Sequence, residues 1–270
     1  MSKKAVRCIV PCLVLLFLYV PILILAFYSF TEATQIGAAG GATLKNYAYL
    51  FTDEKLRSMI IGTVVLALVS ATLATLLGTL GAVGSFYSKK RTSSAMATVN
   101  QIPVINADVV TGFSLCVLLV VVFGISKDTY IPLVLGHVTL GAPFVYLSVI
   151  PKLKQMDSSL YEAALDLGAK PRTALLRVVL PQIFSGMISG FSLAITLSLD
   201  DYFIATYTKP ATFDTISTYV VNATKGSQTD TKTALWALST VIFVLVILIV
   251  FAMNFSSIRA AGRDGKGAKE

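Results

Sequence analysis

Six apolar runs, each long enough to cross a lipid bilayer, constrain this chain more than any other feature of it. A spanning helix needs roughly 20 mostly apolar residues to cover about 30 Å of hydrocarbon at 1.5 Å per residue. Runs of that kind cover residues 9–30, 59–87, 98–123, 129–150, 181–206 and 234–255. Composition agrees. Only 13% of the 270 residues are charged and 55% are hydrophobic, where a soluble domain carries about 25% charged residues. So few charges cannot cover a water-soluble body of this size. The expected fold class is an all-α integral membrane protein of six transmembrane helices.

The first run follows Lys3, Lys4 and Arg7, which invites a signal-peptide reading. It is much longer than the roughly 7–15 residues of a secretory core and no small-x-small cleavage site follows it, so a retained helix is expected. Orientation comes from the basic residues of alternate loops. Of the 22 Lys and Arg, 15 lie in the N-terminus, 88–97, 151–180 and the tail, and 7 lie in the other three loops. The richer side is the cytoplasmic one, which places both termini in the cytoplasm and makes the chain a multi-pass protein of a cytoplasmic membrane. The net charge of +8 reflects this bias and an attraction to anionic lipid, so nucleic acid is not expected as a partner. Three segments follow: an N-terminal helix with an external loop over 1–58, a membrane core over 59–255 and a cytoplasmic tail over 256–270. The Gly-rich patch 37–41 reads as an external turn.

Cys8, Cys12 and Cys116 lie in or beside apolar runs with neither metal spacing nor a disulfide framework. Neither H-E-x-x-H nor G-x-S-x-G occurs, so no enzyme, no cofactor and no metal site is expected. A phosphate loop of the G-x-x-x-x-G-K-[ST] type is also missing, since Gly265, Lys266 and Gly267 lack both the earlier Gly and the Ser/Thr.

The loop 151–180 is built rather than slack. Ser159 followed by Glu162 reads as a capping box. Leu160, Ala163, Ala164 and Leu167 form one apolar stripe at helical spacing. Gly168 suits a left-handed helix end, and Pro171 the first turn of the next helix. A helix of about eight residues is marginal in water, so its stripe needs a cover. That cover is either the protein's own membrane helices or a separate cytoplasmic protein.

The order Glu162-Ala163-Ala164, Gly168, then Val178-Val179-Leu180-Pro181 resembles the EAA loop of ABC importer permeases, with Val178 where that pattern has Ile. The stretches Tyr19-Val20-Pro21-Ile22, Leu197-Ser198-Leu199-Asp200-Asp201 and 206–210 are similar to spermidine/putrescine permeases, in particular the second permease subunit of those systems. The resemblance implies a type I importer permease fold with a coupling helix at Glu162, Ala163, Ala164, Leu167 and Gly168. It also implies a cytoplasmic ATPase dimer, a second and different permease, an extracytoplasmic solute-binding protein and a polyamine substrate. Other cationic or metal-complexed solutes are carried by related importers. A secondary transporter using intramembrane acids as an ion relay is the alternative of a different class.

Asp108, Asp200 and Asp201 fall inside the expected spans. An ionised carboxylate there costs at least about 2.5–3.5 kcal/mol and is usually turned to a cavity or a partner. About ten residues into its run, Asp108 is expected roughly 15 Å deep, near the midplane, with Asp200 and Asp201 roughly 30 Å along theirs near the outer surface. Two separated anionic levels would suit a flexible polycation. The structural alternative gives Asp108 to a helix broken near Pro103 and the adjacent pair to an external helix end. Tyr202, Tyr207 and Tyr146 could line the same path, since an aromatic face attracts a cation, whereas Trp236 reads as an interfacial anchor. His137, the only histidine, reads as a hydrogen-bonded core residue, with a proton-linked role as the alternative.

Overall fold

The computed structural model describes residues 3–33, 37–38, 40–157, 159–225 and 235–251. The chain divides into two compact units, Met1–Ser58 with Tyr219–Leu248, and Met59–Thr218 with Ile249–Glu270. The helices are α1 (Lys3–Ser29), α2 (Lys45–Thr52), α3 (Glu54–Tyr87), α4 (Lys90–Ile105) and α5 (Asp108–Cys116), which runs on as a wide π turn over Val117–Val122. After them come α6 (Ile131–Gln155), α7 (Ser159–Asp166), α8 (Pro171–Ala174), a second π turn (Leu175–Val179), α9 (Leu180–Asp200), α10 (Phe203–Thr208) and α11 (Ile216–Lys225). The last described helix, α12, covers Leu235–Phe251. Among the described residues the one β feature is an isolated bridge between Thr31 and Ala42.

Four helical stretches are long and apolar enough to cross a membrane: Ile9–Ser29, Glu54–Tyr87, Ile131–Gln155 and Pro171–Asp200. The expected third span is not straight. α4 and α5 meet at a bend of 104°. Pro103, which has no N–H to donate, stands in the last turn of α4, and Asn106 and Ala107 are extended with ψ of 147° and 136°. The Asn106 amide donates to Thr111 Oγ1 at 3.1 Å, the kind of local bond with which Asn competes against helix. Counted together, α4 and α5 make a fifth span. The expected fifth run also stops early, at Asp200 rather than 206, because Asp201 turns extended (ψ 124°). The sixth run is helical over the 17 residues of α12; residues 252–255, like the tail 256–270, lie outside the described residues.

In the first unit, none of the most apolar 18-residue window of α1 is buried, so its side chains are left for lipid. The end of α1 is tied down by its neighbours. Asn46 Nδ2 donates to the carbonyls of Ser29 (3.0 Å) and Thr31 (3.1 Å), and Tyr28 packs edge-on against Trp236 at 5.7 Å. The Thr31–Ala42 bridge closes the Gly-rich turn, where Gly37 has φ +95°. Asp53 caps α3, its Oδ1 accepting the Leu56 N–H at 2.8 Å.

In the second unit, small residues let α3, α6 and α9 approach closely. Lipid tails are as apolar as Leu, so helices in a membrane associate through close packing rather than hydrophobic exclusion. Gly186 and Gly190 stand one turn apart on α9. A Cβ at Gly190 would lie 2.8 Å from Val145 Cα, and one at Gly186 would lie 2.9 Å from the Ser148 carbonyl. One turn on, Gly141 meets Ala194, with Ala74 of α3 behind it. The rung after that is polar: Ser198 Oγ lies 2.8 Å from His137 Nδ1 and 3.3 Å from Ser70 Oγ of α3. α3 contributes the buried stripe Ala67, Ala71, Ala74 and Ala82. Pro181 explains the wide turn that precedes α9. Without an N–H it cannot bond the Arg177 carbonyl, and the Leu180 N–H reaches back five residues to Leu175.

Gly190→Leu drives a side chain into the α6 backbone and is expected to cost at least about 1–3 kcal/mol. Thermal unfolding of the detergent-purified subunit should show the loss. Gly84→Ala, whose Cβ meets only Met96 Cε at 4.0 Å, should leave the midpoint unchanged.

Candidate functional site

The loop helix α7 has one covered side and one open side. Tyr161 stacks on Tyr87 at 4.9 Å, and Tyr161, Ala164 and Leu165 are half-buried. Glu162 and Ala163 are exposed, Leu160 is 40% exposed and Leu167 is 89% exposed. No residue of α7 is fully buried. The chain therefore leaves most of the expected stripe uncovered.

The ends of α7 show how the sequence sets it. Gly168 has φ +84° and donates its N–H to the Leu165 carbonyl (2.9 Å), while the Ala169 N–H reaches the Ala164 carbonyl (3.0 Å). This pair of bonds is the Schellman closure, which needs the left-handed residue that Gly supplies. Pro171 opens α8 as expected. The start differs from the expected Ser159–Glu162 capping box. Ser159 is already helical, and its N–H donates to Asp157 Oδ1 at 2.9 Å. That bond holds the exposed Asp157 carboxyl below its ordinary carboxylate range. The preceding Ser158 lies outside the described residues.

The second feature is a cavity of about 250 Å³ where the start of α5, the end of α9 and the start of α10 converge. Asp108, Asp200, Asp201 and Tyr202 all line it, together with Leu140, Thr196, Leu197 and Phe203. The two-level arrangement expected for the acids is thus overturned. It assumed a straight third span, whereas the 104° bend makes Asp108 the first residue of a new helix and brings it beside Asp200.

The three carboxylates differ. Asp201 is 8% exposed and caps α10, accepting the Ile204 N–H at Oδ1 (3.2 Å) and the Ala205 N–H at Oδ2 (2.7 Å). His137 Nε2 lies 3.7 Å from the same Oδ2. Asp108 and Asp200 are exposed, and among the described residues neither has an ion pair. Lys209, the nearest cation along the chain, is held by Asp214 at 2.8 Å. Ile204 anchors α10 from the other side, filling the space left by Gly112 of α5 and Gly136 of α6.

The other aromatic candidates lie elsewhere. Tyr146 is buried and donates its O–H to Ser85 Oγ at 2.9 Å, which makes it a core contact rather than a gate. Tyr207 packs edge-on against Phe113 at 5.8 Å and does not line the cavity. Thr196 escaped the expectations drawn from the sequence, although it stands one turn before Asp200 on the same helix face. Leu140 carried no sequence signal, because only the packing of α6 against α9 brings it there.

A family model described as "Binding-protein-dependent transport system inner membrane component" matches residues 74–260. The putrescine transport system permease protein PotI of Escherichia coli (strain K12) is 35% identical over 71% of this chain and 70% of its own. The spermidine/putrescine transport system permease protein PotC of Haemophilus influenzae is 32% identical over 87% and 89%. A crystal structure of a bacterial ABC transporter involved in the import of the acidic polysaccharide alginate matches with a TM-score of 0.73. It covers 95% of this chain and 94% of that one at 20% identity, which is a likeness of fold.

Asp201→Ala removes the acceptor of two α10 amides and is expected to cost about 1–2 kcal/mol of stability. Asp200→Asn, which removes no described hydrogen bond, should leave thermal unfolding of the purified subunit unchanged.

Proposed function

The chain belongs to the binding-protein-dependent transport system inner membrane components, and from that premise we propose that it forms one half of a polyamine-conducting pore. As an ABC importer permease it is a transport component of the inner membrane, not an enzyme, and it works with an ATPase and a solute-binding protein.

The polyamine reading is carried by one observation. Asp108, Asp200, Asp201 and Tyr202 converge on one cavity in which two carboxylates have no cation of their own among the described residues. A polyamine alternates ammonium groups with methylene chains. The carboxylates answer the ammoniums, while Leu140, Leu197, Phe203 and the ring of Tyr202 answer the methylenes and add cation–π attraction. The names of the relatives, which carry putrescine and spermidine, support the same class of solute.

The exposed side of α7, with Glu162, Ala163 and Leu167, docks into a groove of one ATPase of a cytoplasmic pair. Ala164 and Gly168 set the helix and its closure. Residues 59–255 form the permease core, 1–58 the flanking helix with its external loop, and 256–270 a cytoplasmic tail. A second, different permease completes the pore, and both termini face the cytoplasm, as the basic loops require. When nucleotide closes the ATPase pair, α7 moves with it. α8 and the π turn pass that motion to α9, and the close packing of α9 on α6 carries it as a rigid displacement to the acidic cavity.

Putrescine uptake by the assembled importer in proteoliposomes tests the pore. Asp108→Asn combined with Asp200→Asn should lower uptake at least about tenfold, the equivalent of about 1.4 kcal/mol, at unchanged complex yield. Unaltered putrescine uptake, or uptake of thiamine with putrescine ignored, would remove the polyamine reading. Glu162→Lys or Gly168→Asp should abolish solute-stimulated ATP hydrolysis while leaving membrane insertion intact. Normal hydrolysis in both would detach α7 from the ATPase.

A further inference from the structure

His137 is a fully buried ionisable side chain that neither the pore nor the loop helix explains. Its side chain is 0% exposed, and Nε2 has no hydrogen-bond partner, while Nδ1 is bound to Ser198 at 2.8 Å. A buried polar atom left unmatched costs about 1–3 kcal/mol, so its surroundings carry information. Nε2 points at Asp201 Oδ2 across 3.7 Å, beyond the roughly 2.7–3.2 Å of a formed bond by less than the width of an atom.

The proton positions follow from the neighbours. Ser70 donates its hydroxyl to the Leu66 carbonyl, so Ser198 keeps its own proton for Ser70 or for His137. A carboxylate opposite Nε2 favours the tautomer with the proton on Nε2. Ser198 then donates to Nδ1, and the Nε2–H faces Asp201 as a donor waiting for its acceptor. Asp201 meanwhile spends both oxygens on the first turn of α10.

We infer that His137 is the positioning residue of the acidic cavity. Its Nε2–H faces the Asp201 carboxylate across 3.7 Å and biases it, and with it the elbow between α9 and α10, toward the packed core of α3, α6 and α9. Ser70, Ser198, His137 and Asp201 form a line from the core to the cavity wall. A displacement of under about 1 Å at the α9 end closes the gap to hydrogen-bond range and draws Asp201 toward the core. The opposite displacement leaves Asp201 to α10 and to the cavity. His137 touches no solute and acts only through Asp201. Its effect on uptake rests on the cavity lying in the solute path, whereas its effect on α10 does not.

Two substitutions separate positioning from packing. His137→Asn keeps a group at the Nδ1 position for Ser198 and removes the donor toward Asp201, while His137→Gln places an amide N–H near the Nε2 position. In the assembled importer, His137→Asn should raise the KM for putrescine about tenfold, the loss expected when the closed arrangement can no longer form its bond to a charged group, with Vmax and complex yield nearly unchanged. Hydrogen exchange of residues 203–208 should quicken by a similar factor. His137→Gln should restore both. Wild-type KM and exchange in His137→Asn, or equal loss of complex in both variants, would overturn the role. If Asp108→Asn and Asp200→Asn leave uptake unchanged, the pore reading fails, and exchange at α10 still decides whether His137 holds Asp201.

Discussion

Backbone contact between α6 and α9 is the constraint on which the second unit depends. In hydrocarbon an apolar side chain gains nothing by leaving lipid for protein, so adhesion must come from many atoms at close range. Glycine at 186 and 190, with Ala194 and Gly141 one turn on, removes the side chains that would hold the two helices apart. The same closeness on α3, through Ala67, Ala71 and Ala74, makes a three-helix core whose members cannot slide independently. Bulky residues such as Phe17 and Leu16 of α1 face outward instead, where shape matters little.

That core explains where the chemistry sits. Following the α6–α9 contact toward the end of α9, the rungs change from glycine and alanine to Ser198 with His137, and then the helix breaks at Asp200 and Asp201. A rigid apolar stem therefore ends in a polar elbow. The elbow is stable because Asp201 satisfies the first amides of α10 and Ile204 seats α10 against Gly112 and Gly136. The remaining carboxylates, Asp108 and Asp200, stay exposed and have no ion pair among the described residues.

Much of the fold was legible because it obeys local rules. The first, second and fourth runs lie within a few residues of α1, α3 and α6, since hydropathy over about 20 residues measures what lipid demands. Gly168 and Pro171 were readable because left-handed closure and fixed φ belong to single residue types. The break at Asn106 was not readable, since two extended residues hardly change an average taken over a whole span. Everything computed from the straight helix, above all the depth of Asp108, failed with it. The four acidic and aromatic site residues could be named one by one, but their meeting in one cavity depends on how α5, α9 and α10 pack. Ser159 misled because Asp157, two residues earlier, supplied the bond that the capping pattern assigns to Glu162.

Leu167, almost wholly bare at the closed end of α7, has a further consequence. Alone, the chain displays an apolar knob just past a short helix closed by a left-handed glycine, so the isolated subunit carries a self-association hazard at this one spot. Assembly hides it.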